Sequence, residues 1–538
     1  MLARRQLLER AALATAAAQT LWLPRSAWSQ ARLSSNPFTL GIASGSPTSD
    51  GIVLWTRLAP SGFLGSSSLG NDNITVRWEI AHDERFTRIV QSGQAQATAQ
   101  LAHSVHVEVA GLEGGRGYFY RFMVGDWTST TGRTRTLPAM DAPAGKFRIA
   151  YASCQRWEHG YYSAYRHMLA DQPDLVLFLG DYVYEYPNAA NAVRKPNATS
   201  NGGWVISLDD YRSRYALHKS DPDLQAMHAA CPWAFTWDDH EVQNDYAGLS
   251  AGDAGPAVSD FAARRAAAYQ AFYEHTPLRA STLTRSLAGL LERPAAELRI
   301  YGQLKLGALG NLYLLDPRQY KDAPVCTKEG EGKTGSVNPA QCPAWNDPTR
   351  SFLGAAQEQW IAQALVQNAN AGGWQIIGQS TRFGLRDSRA SGAGQTFGND
   401  NWDGYSAART RLTDAMQKSG SKNNVMLGGD VHENWVGHIK SDYAKASSAS
   451  IGTEFCGTSI TSRNGATSTN DKIPDRLARN PHFTFADAEK RGYGLADFSK
   501  DKLQVSLRTV SDVTSKDASI QTLAQFSVAF GKPDVERI

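Results

Sequence analysis

The chain has 538 residues, a formal net charge of +3 and hydrophobic residues at 42% of its positions. That length exceeds one ordinary domain and allows a large buried core, so we expect two domains. The small net charge provides no global basic field, which argues against nucleic acid as a partner other than as a substrate.

The first residues have the features of an export signal. A charged head, MLARRQLLER, precedes a small and apolar stretch that is too short to span a bilayer. Arg4 and Arg5 resemble the pair in twin-arginine signals, which the twin-arginine export machinery recognises on folded proteins. We predict a signal peptide over residues 1–31, no stable membrane span, and a periplasmic or secreted protein. Removal of the signal peptide takes away four arginines and one glutamate, so the formal charge falls from +3 to zero.

Residues 37–140 have the pattern of a small β-sandwich. Alternating runs such as ITVRWEI, HSVHVEV and YFYRFMV are separated by glycine-rich turns. The run GLEGGRGYFYRF resembles the strand-turn-strand pattern of fibronectin type III domains. We place His103 and His106 on one face of a strand and interpret them as ordinary surface histidines, not as ligands.

From residue 146 onward short apolar strands alternate with helices, which predicts an α/β domain over residues 146–520 and a C-terminal tail over 521–538. Helices are predicted from Ser259 to Glu274 and in AAQEQWIAQALVQ. Two later β-rich stretches would add antiparallel strands, so the expected architecture is two sheets sandwiched by helices. The predicted apolar strands are FRIAYAS, DLVLFLG, WAFTW, WQIIGQ and NVMLGG.

The five cysteines divide into two groups. Cys326 and Cys342 lie close together in a loop-like stretch rich in glycine, proline and lysine, where an exported protein benefits from a covalent link. We predict a disulfide between them. Cys154, Cys231 and Cys456 have no obvious partner, and each is expected to be a small buried hydrophobic residue.

Ligand-type residues follow four of the predicted strands. The carboxyl ends of strands form the edge at which α/β sheets place their binding sites, so these residues are expected to converge. FRIAYAS is followed by Cys154, DLVLFLG by Asp181 and Tyr184, WAFTW by DDHE, and NVMLGG by Asp430 and His432.

Each of these residues also has an ordinary structural interpretation. Asp181 alone is typical of a turn, Tyr184 of packing, and Cys154 of a core position. Together GDYVY places a carboxylate and a phenol on one tight loop. This oxygen-rich pair suits a ferric ion, and Cys154 beside it becomes a candidate thiolate ligand.

Two acidic segments indicate a functional site more strongly than an isolated aspartate does. WDDHE contains four titratable residues in succession after an apolar strand, including Asp239 and His240. A solvated charge run is the alternative, but such runs are rich in Lys and Ser, whereas this one is flanked by Trp237. In GGDVHE two glycines let the backbone approach an ion while Asp430 and His432 point inward.

GDY, DDHE and GDVH together resemble the motifs of calcineurin-like metallophosphoesterases. The sequence is still more similar to the PhoD-like alkaline phosphatase and phosphodiesterase family. That similarity spans nearly the whole chain, including the leading β-domain and the signal peptide. It is carried by YASCQ, FLGDYVYEY, FTWDDHEVQNDYAG, RRAAAYQAFYEH, LLDPRQY, TEFCGTSI and NPHF.

The resemblance implies a two-sheet metallophosphoesterase sandwich flanked by helices. It also implies an exported hydrolase that cleaves phosphate esters with a hydroxide activated on a cluster of Fe³⁺ and Ca²⁺ ions. Cys154 and Tyr184 would bind iron, Asp181 would bridge iron to calcium, and His240 would be the acid beside the leaving group. The remaining contacts would come from Asp239, Asn244, Asp430 and His432.

The chain departs from the family pattern at two places. Gln243 and Asp245 flank Asn244 where relatives tend to carry an acid and a second Asn, which bears on calcium affinity. Arg156 stands where an Asn is frequent, and we predict that it acts in catalysis as a phosphate clamp.

The sequence leaves the substrate open among monoesters, nucleotides, teichoic-acid-like diesters and phospholipid headgroups, including a phospholipase D-like activity. The pocket walls that would decide it are predicted at residues 187–205 and 386–403. A different class of function is an exported, calcium-stabilised binding protein without catalysis. A copper oxidase would need closely spaced His and Cys ligands, which the twelve scattered histidines do not supply.

Overall fold

The computed structural model of the protein describes residues 33–60, 69–196, 202–283, 297–327, 335–369, 372–388, 394–445, 447–465 and 468–538. The predicted signal peptide and parts of both predicted wall segments lie outside these ranges.

Within the described ranges the chain forms twenty-four strands and seven α-helices. The strands are β1 Ile42–Gly45, β2 Gly51–Arg57, β3 Ile74–Ala81, β4 Ile89–Ala97, β5 Ser104–Ala110, β6 Gly117–Val124, β7 Trp127–Thr128, β8 Gly132–Arg135, β9 Phe147–Ala152, β10 Leu175–Leu179, β11 Pro232–Thr236, β12 Gly302–Lys305, β13 Gly310–Leu314, β14 Ser336–Val337, β15 Trp374–Gly378, β16 Phe397–Gly398, β17 Asn424–Gly428, β18 Asn434–Lys440, β19 Ser450–Cys456, β20 Phe483–Asp487, β21 Arg491–Phe498, β22 Lys502–Val510, β23 Ile520–Ala529 and β24 Val535–Arg537. The helices are α1 Ser163–Ala170, α2 Leu208–Lys219, α3 Pro222–Ala230, α4 Phe261–His275, α5 Ala355–Ala369, α6 Ser406–Ser419 and α7 Ile473–Arg479.

The larger sheet has ten strands in the order β24-β23-β22-β21-β9-β10-β11-β1-β2-β5. At its centre β9, β10 and β11 are parallel, and β21 pairs antiparallel with β9. Parallel strands are covered on both faces, which explains why FRIAYAS, DLVLFLG and WAFTW are almost continuously apolar. All three strands were predicted from that pattern.

The second sheet has seven strands in the order β12-β13-β15-β17-β19-β18-β20, of which β13, β15, β17 and β19 are parallel. Its inner face packs on the larger sheet, where Ile149 and Leu177 meet Ile376 and Leu427. Helices α1 to α4 cover the outer face of the larger sheet, and α5 and α6 cover that of the second. The predicted two-sheet sandwich flanked by helices is confirmed.

The N-terminal β-sandwich shares a sheet with the rest of the protein. Its smaller sheet has the order β4-β3-β6-β7, with β8 also on β6, and packs on β1, β2 and β5. β1 pairs parallel with β11, with Ser44 opposite Pro232. An unpaired β11 would leave an exposed edge, and β1 removes that edge by continuing the sheet.

The predicted C-terminal tail is part of that larger sheet. β23 pairs antiparallel with β22, and β24 pairs with β23. Phe526 and Val528 alternate with polar residues and are buried in the core between the sheets. This alternation is the strand pattern, so β23 and β24 extend the larger sheet.

The prediction of surface histidines is wrong for His103. Its side chain is buried just before β5, and its Nε2 lies 2.8 Å from the carbonyl oxygen of Asp72. His106 is only partly buried, and its ring stacks on Tyr273 with centroids 4.3 Å apart. His106 packs on α4, whereas His103 lies before β5 and packs on the segment that precedes β3.

The predicted disulfide between Cys326 and Cys342 is present. Cys154, Cys231 and Cys456 are free and buried, as expected. Each helix in the described ranges is too short or too polar to cross a bilayer.

Candidate metal centre and active site

The predicted ligands lie where the two sheets meet at the carboxyl ends of their parallel strands. Ser153, after β9, forms a parallel bridge with Ser459, which follows β19. This close approach needs glycine at the neighbouring turns. A Cβ on Gly180 would lie 2.6 Å from Cβ of Asp238, and one on Gly429 would lie 2.7 Å from Cβ of Ser153.

Four of the predicted ligands have a left-handed backbone that non-glycine residues rarely adopt. The φ angles are 58° at Cys154, 59° at Asp181, 65° at Asp430 and 54° at His432. Each such residue costs about 1–3 kcal/mol unless its surroundings enforce it, and residues of this kind concentrate at active sites. The four residues lie in the three loops after β9, β10 and β17, which meet at this centre.

The first group of donor atoms contains Cys154, Asp181 and His432, whose ligand atoms all lie within 4.8 Å of one another. The Tyr184 hydroxyl donates to Oδ2 of Asp181 at 2.9 Å and lies 3.3 Å from Nε2 of His432. Nδ1 of His432 donates to the carbonyl oxygen of Arg463 at 3.0 Å, which leaves Nε2 as the nitrogen with a free lone pair.

The second group contains Asp181, Asp239 and His240, again within 4.8 Å. Asp181 therefore belongs to both groups. Its Oδ1 is buried and has no hydrogen-bond partner among the described residues. Burial raises the pKa of Asp181 well above its usual value, His240 opposes that shift, and Asp239 adds to it. A bound cation would compensate such a carboxylate oxygen.

Asp430 lies on the same side of the cluster. Its Oδ2 accepts a hydrogen bond from the Thr381 hydroxyl at 2.5 Å, and its backbone carbonyl is 3.8 Å from the sulfur of Cys154. Burial and the charge on Asp239 raise the pKa of Asp430 to about 6. Asp430 thus adds to the anionic charge that the site concentrates.

A third acidic group combines Asp239 with Asp245 and Asp400, from one of the predicted wall segments. Arg318 donates to Asp400 at 2.7 Å, and the ammonium group of Lys321 lies 2.5 Å from the same carboxylate. Asp400 is therefore neutralised by the protein's own cations.

His240 and Asn244 are joined through Glu185. The Glu185 carboxylate lies 2.8 Å from Nδ1 of His240 and accepts the backbone N–H of Asn244 at 2.7 Å. Burial lowers the pKa of His240, but Asp239, Glu185 and Asp181 outweigh burial and raise it well above the usual value. The three carboxylates therefore favour the protonated form of the imidazole.

Arg156 borders the cluster. Its guanidinium carbon lies 5.8 Å from the ring centroid of Tyr184 and 5.0 Å from that of Tyr186, and its Nη2 donates to the carbonyl oxygen of Pro187 at 3.3 Å. The structure thus places Arg156 against the rings of Tyr184 and Tyr186. All nine predicted site residues lie in or beside the loops that form this centre.

Several residues that organise the centre were not predicted. The Glu241 carboxylate accepts the backbone N–H groups of Asp181, Tyr182 and Asp238 at 3.1, 2.6 and 2.8 Å, which ties two ligand loops together. Glu241 and Glu185 adjoin predicted ligands in the sequence, so acids next to a ligand motif were the available signal.

Ser462 had no such signal. Its hydroxyl lies 2.7 Å from the Tyr184 hydroxyl and 2.8 Å from the carbonyl oxygen of Cys154, yet it is 278 residues from Tyr184 in the chain. Only the folding of the segment after β19 brings it to the site.

The thiol and phenol need a cation to act as anionic ligands. Burial, reinforced by the charge on Asp181, raises the pKa of both Cys154 and Tyr184 well above their usual values. Coordination deprotonates a thiol outright, so the donor set fits a strongly charged metal ion.

The sequence matches the PhoD-like phosphatase family over residues 149–507, and that family's N-terminal domain over residues 24–138. The chain belongs to the PhoD-like phosphatase family. It is 41% identical over 498 residues to alkaline phosphatase D of Bacillus subtilis (strain 168), an alignment that covers 92% of this chain and 81% of the relative. A solved structure described as the structure of PhoD superposes with a TM-score of 0.85 and 40% identity, covering 94% of this chain and 93% of the other.

Membership of this family makes the protein a phosphoric ester hydrolase. The family assignment agrees with a centre whose Cys, Asp and His donors are able to bind metal ions.

Proposed function

We propose that the protein is an exported alkaline phosphatase and phosphodiesterase that works with a cluster of iron and calcium ions. The observation that carries this proposal is the position of Asp181. Its unpartnered, buried carboxylate oxygen belongs to a residue that is within ligand range of two donor groups. One carboxylate between two groups is the arrangement for a ligand that bridges two metal ions.

The two groups differ in chemistry. Cys154, Tyr184 and His432 offer a thiolate, a phenolate and an imidazole, donors that suit ferric iron. Asp239 offers carboxylate oxygens, and Asn244, bound to the same Glu185 as His240, adds an amide oxygen. Oxygen donors of this kind suit calcium. Asp430 would complete the cluster from the side of β17.

Metal ions held there would neutralise charge on the phosphate oxygens and lower the pKa of a water. The protein's own residues do the rest. Glu185 fixes the ring of His240 through Nδ1, so Nε2 is the nitrogen that carries a proton to the oxygen of the leaving group. Arg156 adds positive charge at the border of the site, where an ester oxygen is bound.

Hydrolysis assays on metal-loaded protein test the proposal. We expect turnover of p-nitrophenyl phosphate and bis(p-nitrophenyl) phosphate, with bound iron and calcium found by elemental analysis. Asp181→Asn should lose both metals and activity, whereas the exposed Asp501→Asn should lose neither. Stoichiometric metal without turnover of either ester would support the binding protein instead.

Export is tested on the signal itself. Replacing Arg4 and Arg5 together by Lys should retain the precursor in the cytoplasm, because the export receptor reads the arginine pair. The matched control replaces Arg10 and Arg25 by Lys, which makes the same change of chemistry outside the pair. Equal export of the two double variants would contradict the twin-arginine route.

A further inference from the structure

Two aromatic side chains form a wall beside His240 that the metal chemistry does not use. The ring of Tyr186 lies 5.2 Å from that of His240, and the indole of Trp204 lies 5.4 Å from Tyr186, centroid to centroid. Arg156 lies over Tyr186. We call Tyr186 and Trp204 the aromatic shelf. Both rings are partly exposed.

The shelf is held in place without a ligand. Arg214 is buried and donates to the carbonyl oxygens of Tyr186 at 2.8 Å and Gly203 at 3.2 Å, so one guanidinium ties both shelf segments together. The backbone at Gly255, where φ is +87°, packs on Trp204, since a Cβ there would lie 2.8 Å from the indole Cε3. Rings fixed in this way bind a planar partner at little cost in conformational entropy.

The hydroxyl of Tyr186 connects the shelf to the centre. It donates to Oδ1 of Asn244 at 2.9 Å, and the backbone N–H of Asn244 is bound to the same Glu185 that holds His240. Tyr186, Asn244, Glu185 and His240 therefore form one hydrogen-bonded unit, and Trp204 contacts it through the ring of Tyr186.

We infer that the aromatic shelf is the leaving-group subsite and favours phosphate esters of alcohols that carry a planar aromatic group, such as nucleosides and arylmethyl alcohols. This inference rests on the proposed function, in which His240 protonates the leaving oxygen. Water adds its oxygen to phosphorus and loses one proton to solvent, the phosphorus–oxygen bond to the alcohol breaks, and the alcohol oxygen takes a proton from His240, which regains one from solvent. The group attached to that oxygen therefore lies next to His240, where the shelf is.

Arg156 influences which kinds of leaving group the shelf binds. Aromatic walls also bind quaternary ammonium groups through cation–π attraction. Here the guanidinium of Arg156, whose Nε is paired with Glu158 at 3.6 Å, already occupies the cation position 5.0 Å from the Tyr186 centroid, so a second cation cannot bind at that face of the ring. The subsite therefore selects neutral or anionic planar groups over a choline-type headgroup.

Three phosphate monoesters distinguish the effect of a π-face from the effect of a positive charge in the leaving group. Benzyl phosphate and cyclohexylmethyl phosphate have primary alkoxide leaving groups of similar size, but only the first has a π-face. Choline phosphate carries a quaternary ammonium group. The measured quantity is the ratio of kcat/KM values, which cancels differences in metal loading. For the wild type we expect benzyl to exceed cyclohexylmethyl by about tenfold, at the lower end of what stacking contributes, and choline phosphate to be poorest.

Variants test whether the shelf causes the preference for benzyl over cyclohexylmethyl phosphate. Trp204→Leu should bring the benzyl to cyclohexylmethyl ratio close to one, and Trp204→Phe, which keeps a ring, should retain most of it. Trp360→Leu is the matched control, because this partly buried tryptophan of α5 packs on Tyr301 at 5.2 Å, away from the centre. Arg156→Ala should raise choline phosphate turnover relative to the other two esters.

The outcomes distinguish the two proposals. If the wild type hydrolyses p-nitrophenyl phosphate with a benzyl to cyclohexylmethyl ratio near one, the subsite is wrong and the proposed function stands. A folded Trp204→Leu that keeps the wild-type ratio also overturns the subsite. If no ester is hydrolysed by metal-loaded wild type, the proposed function fails, and the subsite fails with it.

Discussion

Glu185 accepts a hydrogen bond from Nδ1 of His240 at 2.8 Å. The carboxylate is fully buried, so it fixes the orientation of the ring and stabilises its protonated form. The distance between the two residues in the chain is 55 positions, and the loops after β10 and β11 bring them together.

Glu185→Gln should keep the ring oriented while removing a charge that raises the pKa of His240. A lower pKa means that the acid loses its proton at a lower pH, so the alkaline limb of the kcat profile should move to lower pH. We expect alkyl phosphate turnover to fall roughly tenfold or more. The control Glu536→Gln should leave the profile in place. An unchanged alkaline limb in Glu185→Gln would remove the carboxylate from this role.

His240→Ala should slow turnover of alkyl phosphates by roughly 100-fold or more while iron and calcium contents change little. The loss should shrink for p-nitrophenyl phosphate, because its leaving group departs without a proton. Steady-state kinetics on both esters with parallel metal analysis makes the comparison. Equal losses on the two esters would show that His240 is not the acid.

Chelation should abolish hydrolysis, and calcium, not magnesium alone, should restore it. Carboxylate and amide oxygens on separate loops tolerate the larger ion, whereas magnesium demands near-ideal octahedral geometry. Asn244→Ala should raise the calcium concentration needed for half-maximal recovery, and the exposed Asn73→Ala should not. Full activity in excess chelator would contradict a calcium requirement.

A ferric ion bound by Cys154 and Tyr184 should colour the protein, because both donors transfer electron density to an oxidising metal. Cys154→Ser should weaken or shift the visible band and lower the iron content. Cys456→Ser is the matched control, since Cys456 is equally buried and its sulfur lies 3.2 Å from the carbonyl oxygen of Gly429. Tyr184→Phe should remove the phenolate contribution separately. Stoichiometric iron without a visible band would exclude the thiolate.

Lys219 is buried, and its ammonium group lies 4.2 Å from the ring centroid of Trp55. Burial lowers the pKa of Lys219 from 10.5 to about 7. The unfolded chain therefore binds the Lys219 proton more tightly than the folded protein does. The resulting free-energy cost of folding has its full value below pH 7 and disappears as the pH rises toward 10.5. Lys219→Met should raise Tm more at pH 6.5 than at pH 9.

The exposed Lys305→Met is the control for that measurement and should leave Tm nearly unchanged at both pH values. A Tm gain for Lys219→Met that does not depend on pH would mean that the substitution acts through packing alone.

The sequence by itself determined the layered sheets and the ligand loops, because both are encoded locally. Buried parallel strands such as β10 are continuously apolar, and an acid directly after such a strand lies at the edge where sites form. Asp181, Asp239 and Asp430 were therefore predictable, and the structure brings their loops to one centre. The disulfide between Cys326 and Cys342 was likewise encoded in one short loop.

Only the tertiary structure decided which side chains interact through charge or hydrogen bonds and which strands belong to the same sheet. The buried state of His103, the pairing of β1 with β11, and the contact of Ser462 with Tyr184 depend on segments far apart in the chain. Hydrogen bonds and pKa shifts fall off within a few ångströms, so they follow spatial distance, which sequence spacing does not give. For the same reason the pairing of Glu185 with His240 became visible only when the loops after β10 and β11 were in place.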